Sequence, residues 1–177
     1  MTLGALLFAL IMTEIIKLGI SSCLLGNNVR YDGGNKLDQY LMDVFGRIVE
    51  WVPICPEVEA GLTVPREPMQ LVADGPWIRL IIIETKQDRT DAIFRWVEKK
   101  LNHLEQEGVR GFILKARSPS CGIRDAEFFS MQGESIGARA GLFAKAVMDF
   151  FPDLPAEDEE RLRDPAVRQR FFDRISV

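Results

Sequence analysis

Residues 15–26 read Ile-Ile-Lys-Leu-Gly-Ile-Ser-Ser-Cys-Leu-Leu-Gly, a mostly apolar run that predicts a buried strand and ends in a loop carrying Cys23. The same arrangement occurs twice more. Ile48–Ile54 precedes Cys55, and Val109–Leu114 leads to the loop that carries Cys121. Helical patterns separate these runs, so the chain predicts βαβ units. The implied fold class is α/β, with three layers and a mostly parallel, Rossmann-like sheet.

The spacing of apolar residues and of glycine and proline places the remaining elements. Helices are predicted over Lys36–Phe45, from Thr90 to a stop at Gly108, and over Leu142–Phe150, and strands over Trp77–Ile83 and Glu127–Phe129. The three isoleucines at 81–83 indicate a strand buried on both faces. The segment 56–68 is interrupted by proline and glycine, so no regular structure is expected there.

The chain is expected to contain one compact unit and a tail. Residues 12–155 form the predicted domain, and 156–177 form a charged tail with helical patterns around Glu157–Arg163 and Ala166–Ile175. The apolar stripe of the last pattern would dock on this domain or face a second domain beyond the tail. Residues 1–11 are expected to lie outside the fold, with Met12 as the natural start; a signal peptide is the other interpretation.

The composition is that of an ordinary soluble globular protein. Of 177 residues, 47% are hydrophobic and 27% are charged, with a net charge of −4. No basic tract is present, so nothing favours a nucleic acid or a membrane as partner. The cysteine count is odd and no secretory signal is evident, which indicates a reducing cytoplasm rather than a disulfide framework.

The three cysteines are either separate core residues or members of one shared site. The carboxyl ends of neighbouring parallel strands surround one crevice, where open α/β sheets bind ligands. Three thiolates there would suit a metal or cluster with one free coordination position. No C-x-x-C pair occurs, which excludes a zinc ribbon and a ferredoxin-type run. The only histidine, His103, is predicted on the surface of the long helix, so neither a zinc ligand nor a Cys–His pair is favoured.

Several polar residues near the cysteines have both a functional and a structural interpretation. Glu57, two residues after Cys55, would be a proton donor or acceptor in the crevice or a surface carboxylate. Ser118 and Ser120 would bind a ligand or cap a turn. Asp32 would be an Asx-turn residue or a substrate contact, and Arg66 a solvated charge or a group that holds the substrate.

Four ordered motifs resemble those of the thiouracil desulfurase family. They are Ser-Cys-Leu-Leu-Gly at 22–26, Arg-Tyr-Asp-Gly-Gly at 30–34, Cys-Pro-Glu at 55–57 and Leu-Lys-Ala-Arg-Ser-Pro-Ser-Cys-Gly at 114–122. The resemblance implies a 4Fe–4S cluster held by Cys23, Cys55 and Cys121, with the fourth iron open to the sulfur of a thiolated substrate. It also implies catalytic roles for Glu57 and Ser118.

The resulting hypothesis is a cytoplasmic iron–sulfur desulfurase that acts without net redox change on a small thiocarbonyl compound such as a thiolated pyrimidine. Substrate contacts are predicted at Ser22, Asp32, Arg66 and Ser120. Residues 142–177 resemble the two-domain branch of that family, so the substrate and a C-terminal partner domain stay open. Two alternatives also stay open: a non-enzymatic iron–sulfur or metal-binding regulatory module, and a cluster-free thiol enzyme with a Cys121 nucleophile and Glu57 as base.

Overall fold

The computed structural model, which describes residues 15–176, contains two four-stranded sheets, five α-helices and two short 3₁₀ helices, Ser22–Leu25 and Arg161–Arg163. The strands are β1 (Ile16–Ser21), β2 (Val49–Ile54), β3 (Met69–Asp74), β4 (Trp77–Ile82), β5 (Val109–Leu114), β6 (Ala126–Phe129), β7 (Ser135–Arg139) and β8 (Ala156–Asp158). The helices are α1 (Gln39–Phe45), α2 (Pro56–Glu59), α3 (Thr90–Glu107), α4 (Leu142–Phe150) and α5 (Pro165–Ile175). The predictions about residues 1–11 and Met12 lie outside the described residues.

The first sheet has the order β2-β1-β5-β8, and all of its strands are parallel. Side chains alternate between its two faces. Ile20 and Ile113 belong to one apolar core with α1 and α5, whereas Phe112 and Leu114 belong to another with α3 and α4. Gly19 lets β1 and β5 pack here, because a Cβ would lie 2.6 Å from the Phe112 ring. The predicted α/β fold with a mostly parallel sheet and helices on both faces is confirmed.

The second sheet, of order β4-β3-β6-β7, was not predicted. β3 and β4 form an antiparallel hairpin, and β6 pairs with β7 antiparallel and with β3 parallel. The prediction that Trp77–Ile83 is buried on both faces was wrong, since Trp77 is 66% exposed and Ile83 lies beyond the strand. Segment 56–68 also contains the helical turn α2, contrary to expectation.

The tail packs against the first sheet. Of the helical pattern predicted around Glu157–Arg163, only Arg161–Arg163 is helical, as a short 3₁₀ turn, whereas Ala156–Asp158 forms a parallel strand beside β5. α5 begins at Pro165, where the side chain of Asp164 accepts hydrogen bonds from the amides of Ala166 and Val167. Its inner face buries Phe171 and Ile175 in the core that contains Phe45. No helix in the described part of the chain has the length and apolar character needed to cross a bilayer.

We expect Phe171→Ala to lower the free energy of unfolding by about 3–5 kcal/mol, because the change removes a fully buried aromatic ring. Phe171 is 2% exposed, and its ring lies 5.9 Å from that of Phe45. Urea unfolding measures the effect. Phe150→Ala is the matched control, since Phe150 is 40% exposed and its loss should cost far less. Equal losses in the two variants would contradict the docking of α5.

Candidate functional site

Three cysteines line one cleft at the carboxyl ends of three adjacent strands. Cys23 lies just beyond β1, Cys55 directly follows β2, and Cys121 lies in the loop after β5. The cleft has a volume of about 460 Å³. All three thiols are free, and Cys23 and Cys121 are buried. The sequence-based expectation that these distant residues share one crevice therefore agrees with the cleft's geometry.

Burial keeps these thiols protonated while nothing is bound to them. Desolvation raises the pKa of Cys23 to about 11, and it raises the pKa of Cys55 as well. The pKa of Cys121 is raised well above its usual value, mainly by burial, although a hydrogen bond from Ser21 opposes the change. A reactive thiolate is thus disfavoured at neutral pH unless a cationic centre binds the sulfurs.

The donor set of the cleft has the chemistry of the ligands that hold an iron–sulfur cluster. Among residues 15–176, no three His, Cys, Asp or Glu side chains are close enough to share one ion. In a cluster each thiolate would bind a different iron, so the three thiolates need not meet at one ion. Thiolates are also the ligands that such clusters use. Cys23, Cys55 and Cys121 could therefore hold a cluster at three corners.

The segment that carries Cys121 is fixed by its own hydrogen bonds. We call residues 115–125 the Cys121 loop. The Ser118 hydroxyl oxygen accepts hydrogen bonds from the amides of Ser120 (3.2 Å) and Cys121 (3.1 Å). At the start of the loop, the amide of Lys115 donates to the Ser21 hydroxyl at 2.9 Å, which joins the ends of β5 and β1. These bonds set the direction in which Cys121 enters the cleft.

The first turn of α4 holds the other side of the Cys121 loop. The amides of Leu142 and Phe143 donate to the carbonyls of Pro119 (3.1 Å) and Ser120 (2.9 Å). These helix N-terminal amides otherwise lack partners. Gly141 permits the approach, because a Cβ there would lie 2.6 Å from the Ser120 carbonyl carbon. The loop and the helix are therefore joined backbone to backbone.

Glu57 faces the cleft from α2, and its carboxylate is held from two sides. Oε2 accepts a hydrogen bond from Arg66 Nε at 2.8 Å and lies 2.6 Å from Arg66 Nη2. Oε1 accepts a hydrogen bond from the Ser120 hydroxyl at 2.9 Å. The side chain is only 13% exposed. Such a carboxylate is oriented at the edge of the cysteine site rather than free on a surface.

Arg66 acts on Glu57 rather than pointing freely at a ligand. Each of its three guanidinium nitrogens donates to a protein oxygen: Nε to Glu57, Nη1 to the Thr63 carbonyl at 3.1 Å, and Nη2 to the Val29 carbonyl at 2.9 Å. The predicted role in holding the substrate is therefore less suited to this side chain than a positioning role.

The other predicted contacts divide into those that line the cleft and those that do not. Ser22 and Ser118 line it, and the Ser22 hydroxyl accepts a hydrogen bond from Asn27 at 2.8 Å. Ser120 is fully buried behind Glu57. Asp32 lies outside the lining and forms the Asx turn, with the Gly34 amide donating to it at 3.0 Å and thereby lowering its pKa. His103 is exposed, as predicted.

Some cleft-lining residues were not singled out from the sequence. Tyr31, Lys36 and Lys115 belong to this group. Lys115 directly follows β5, as Cys55 follows β2, so the strand-end rule that pointed to the cysteines would also have found it. Tyr31 and Lys36 come from the loop between β1 and α1. Tyr31 lies in the Arg-Tyr-Asp-Gly-Gly motif, from which only Asp32 was taken as a candidate, whereas no motif or strand end marks Lys36.

Comparisons with known proteins agree with this geometry. A family model described as 2-thiouracil desulfurase matches residues 18–159. The uncharacterized protein YbbK of Bacillus subtilis (strain 168) is 27% identical over 135 residues, which cover 72% of this chain and 89% of YbbK. The solved structure of the [4Fe-4S]-dependent thiouracil desulfidase TudS superposes with a TM-score of 0.65 at 29% identity, covering 88% of this chain and 98% of TudS.

Proposed function

The chain belongs to the 2-thiouracil desulfurase family, and from this membership we propose that it removes sulfur from a small thiocarbonyl compound at a 4Fe–4S cluster. Cys23, Cys55 and Cys121 would hold the cluster. The observation that carries the proposal is the convergence of these thiols on one cleft from three adjacent parallel strands. A thiolated pyrimidine is the expected kind of substrate.

The bound cluster would supply an iron with an open position that acts as a thiophilic Lewis acid. The overall change is hydrolytic: water adds its oxygen to the thiocarbonyl carbon, the C=S bond is replaced by C=O, and the sulfur leaves as hydrogen sulfide. No electron is gained or lost. The protein must therefore bind the substrate, orient the water and move protons.

Glu57 suits the proton-transfer role because its position is fixed. Arg66 occupies Oε2, whereas Oε1 has Ser120 as its only hydrogen-bond partner among the described residues and keeps capacity to accept a proton from water. Ser118 suits a positioning role. Its oxygen already accepts two amide hydrogen bonds, so its hydroxyl hydrogen is left to donate to substrate or water.

The cluster-free thiol enzyme is the weaker alternative. A Cys121 nucleophile would need to ionise, yet burial raises its pKa well above the usual value. Every observation that fits a regulatory module fits a desulfurase equally well. No observation therefore favours the regulatory module. The cytoplasmic location stays a prediction.

We expect anaerobic reconstitution of the full chain to incorporate about four iron and four sulfide per chain. The reconstituted protein should then release sulfide from at least one compound in a panel of thiolated pyrimidines, their nucleosides and small thioamides. Metal analysis and sulfide release measure the two results. A full cluster with no turnover on any compound would support the regulatory module. Turnover by iron-free protein would support the thiol enzyme.

A further inference from the structure

The tail carries four consecutive carboxylates beside the cysteine site. We call Glu157, Asp158, Glu159 and Glu160 the acidic run. Because β8 pairs parallel with β5, with Leu114 opposite Asp158, the run emerges at the sheet edge where the Cys121 loop begins. Two of its members, Asp158 and Glu159, are buried. Buried carboxylates need partners, and the Cys121 loop supplies several of them.

Glu159 makes the innermost of these contacts. Its Oε2 accepts a hydrogen bond from the Ala116 amide at 2.8 Å, and its Oε1 accepts one from the Lys115 ammonium group. The side chain is 6% exposed. Lys115 and Ala116 both line the cleft. A single carboxylate from the tail therefore fixes both the backbone and a side chain at the start of the Cys121 loop.

The other members bind the loop on either side of Cys121. Glu160 forms a two-pronged ion pair with Arg117. Arg124 donates to Asp158 at 3.0 Å and to Glu157 at 2.7 Å. Every carboxylate of the run thus contacts the loop, and the contacts span residues 115 to 124.

We propose that the acidic run is a clamp that sets the position of the Cys121 loop, with Glu159 as its main positioning residue. The tail then belongs to the cysteine site and is more than a covalent link out of the domain. The benefit to cluster binding rests on the proposed function, but the clamp itself does not. Because the loop is held in advance, Cys121 is placed for its ligand before the ligand arrives.

Hydrogen exchange of the iron-free full chain tests the clamp directly. In Glu159→Ala, the amides of residues 115–118 and 120–122 should exchange about tenfold faster or more, because a hydrogen bond and a charge pair are lost. Asp149→Asn is the matched control, since it removes an exposed carboxylate, paired with Lys145, from the last turn of α4, whereas the loop is hydrogen-bonded to the first turn. Glu159→Gln keeps an acceptor for the Ala116 amide and should show the same change to a smaller extent. It covers the case in which Glu159→Ala does not fold.

Exchanging the charges of the exposed pair Arg117–Glu160 distinguishes an effect on the position of the loop from an effect on the stability of the whole protein. Arg117→Glu and Glu160→Arg should each loosen the loop, and the double variant should restore slow exchange, with the urea midpoint unchanged throughout. The clamp is overturned if both Glu159 variants exchange like Asp149→Asn, or if the double variant does not recover.

Measuring cluster uptake separates the test of the clamp from the test of the proposed function. If wild-type protein takes up no cluster while Glu159→Ala still speeds exchange, the desulfurase proposal fails and the clamp stands. If wild-type protein takes up the cluster and the exchange results support the clamp, Glu159→Ala should lose iron to a chelator several-fold faster than Asp149→Asn. Equal rates of loss would overturn the clamp's contribution to the site.

Discussion

Cys121→Ala is expected to reduce the iron content after anaerobic reconstitution from about four per chain to below about one, with loss of the visible cluster absorption. The reason is that Cys121 would be one of only three protein ligands, and the described residues that line the cleft include no fourth thiol and no imidazole as a replacement. His103, the one histidine in the chain, is exposed on α3. Cys121→Ser keeps the volume of the side chain and should fail in the same way.

The control for this variant must remove a similar volume from the same core. Ile123→Val meets this requirement, because Ile123 is buried in the core cluster that contains Cys121 and is not a predicted ligand. It should retain the full iron content. Retention of full iron by Cys121→Ala would mean that the three-ligand site is wrong. Iron and sulfide analysis, together with the visible spectrum, measure both variants.

Glu57→Gln is expected to keep the cluster and to lower turnover by about 10²–10⁴-fold, the usual contribution of a positioned acid or base. The amide retains the shape of the side chain and can still accept from Arg66, so the packing around α2 should persist. It cannot, however, take a proton from water. Sulfide release under single-turnover conditions measures the loss, and an unchanged spectrum shows that the cluster remains.

Glu59→Gln is the matched control for this second variant. Glu59 lies two residues along the same helix, but its carboxylate binds the Cys55 amide and Lys100 instead of facing the cleft. Turnover by the Glu59→Gln variant should stay near that of the wild type. Turnover by Glu57→Gln at the level of Glu59→Gln would remove Glu57 from the mechanism.

The elements that could be predicted from sequence are those with a continuous apolar pattern of their own. β5 is a run of buried residues, and α3 has an unbroken apolar stripe that stops at Gly108, whose left-handed conformation suits a glycine. β7 and β8 lack such a signal. β7 is almost fully exposed, and β8 is a strand because it pairs with β5. The structure of β8 depends on a partner distant in sequence, whereas β7 depends on its hairpin partner β6.

The same contrast, between features with a local sequence pattern and features that depend on the fold, applies to the site. The cysteines could be found because each comes after a recognisable strand, and the cleft they line is as expected. The contacts of Arg66 and Glu159 could not be predicted from the sequence, because each joins residues that are brought together only by the fold. Arg66 reaches back over an irregular segment to Glu57, and Glu159 reaches the Ala116 amide from the tail. Neither pairing leaves a local pattern in the sequence.

The amides at the start of α4 are already occupied by carbonyls of the Cys121 loop. Adding or removing a residue between Ser118 and Gly122 would shift these carbonyls out of register with the helix and would displace the thiol as well. Natural differences in chain length among relatives would therefore have to be absorbed elsewhere, for example at the turn between β6 and β7, where residues 131–134 are exposed and the turn is closed by its own hydrogen bonds.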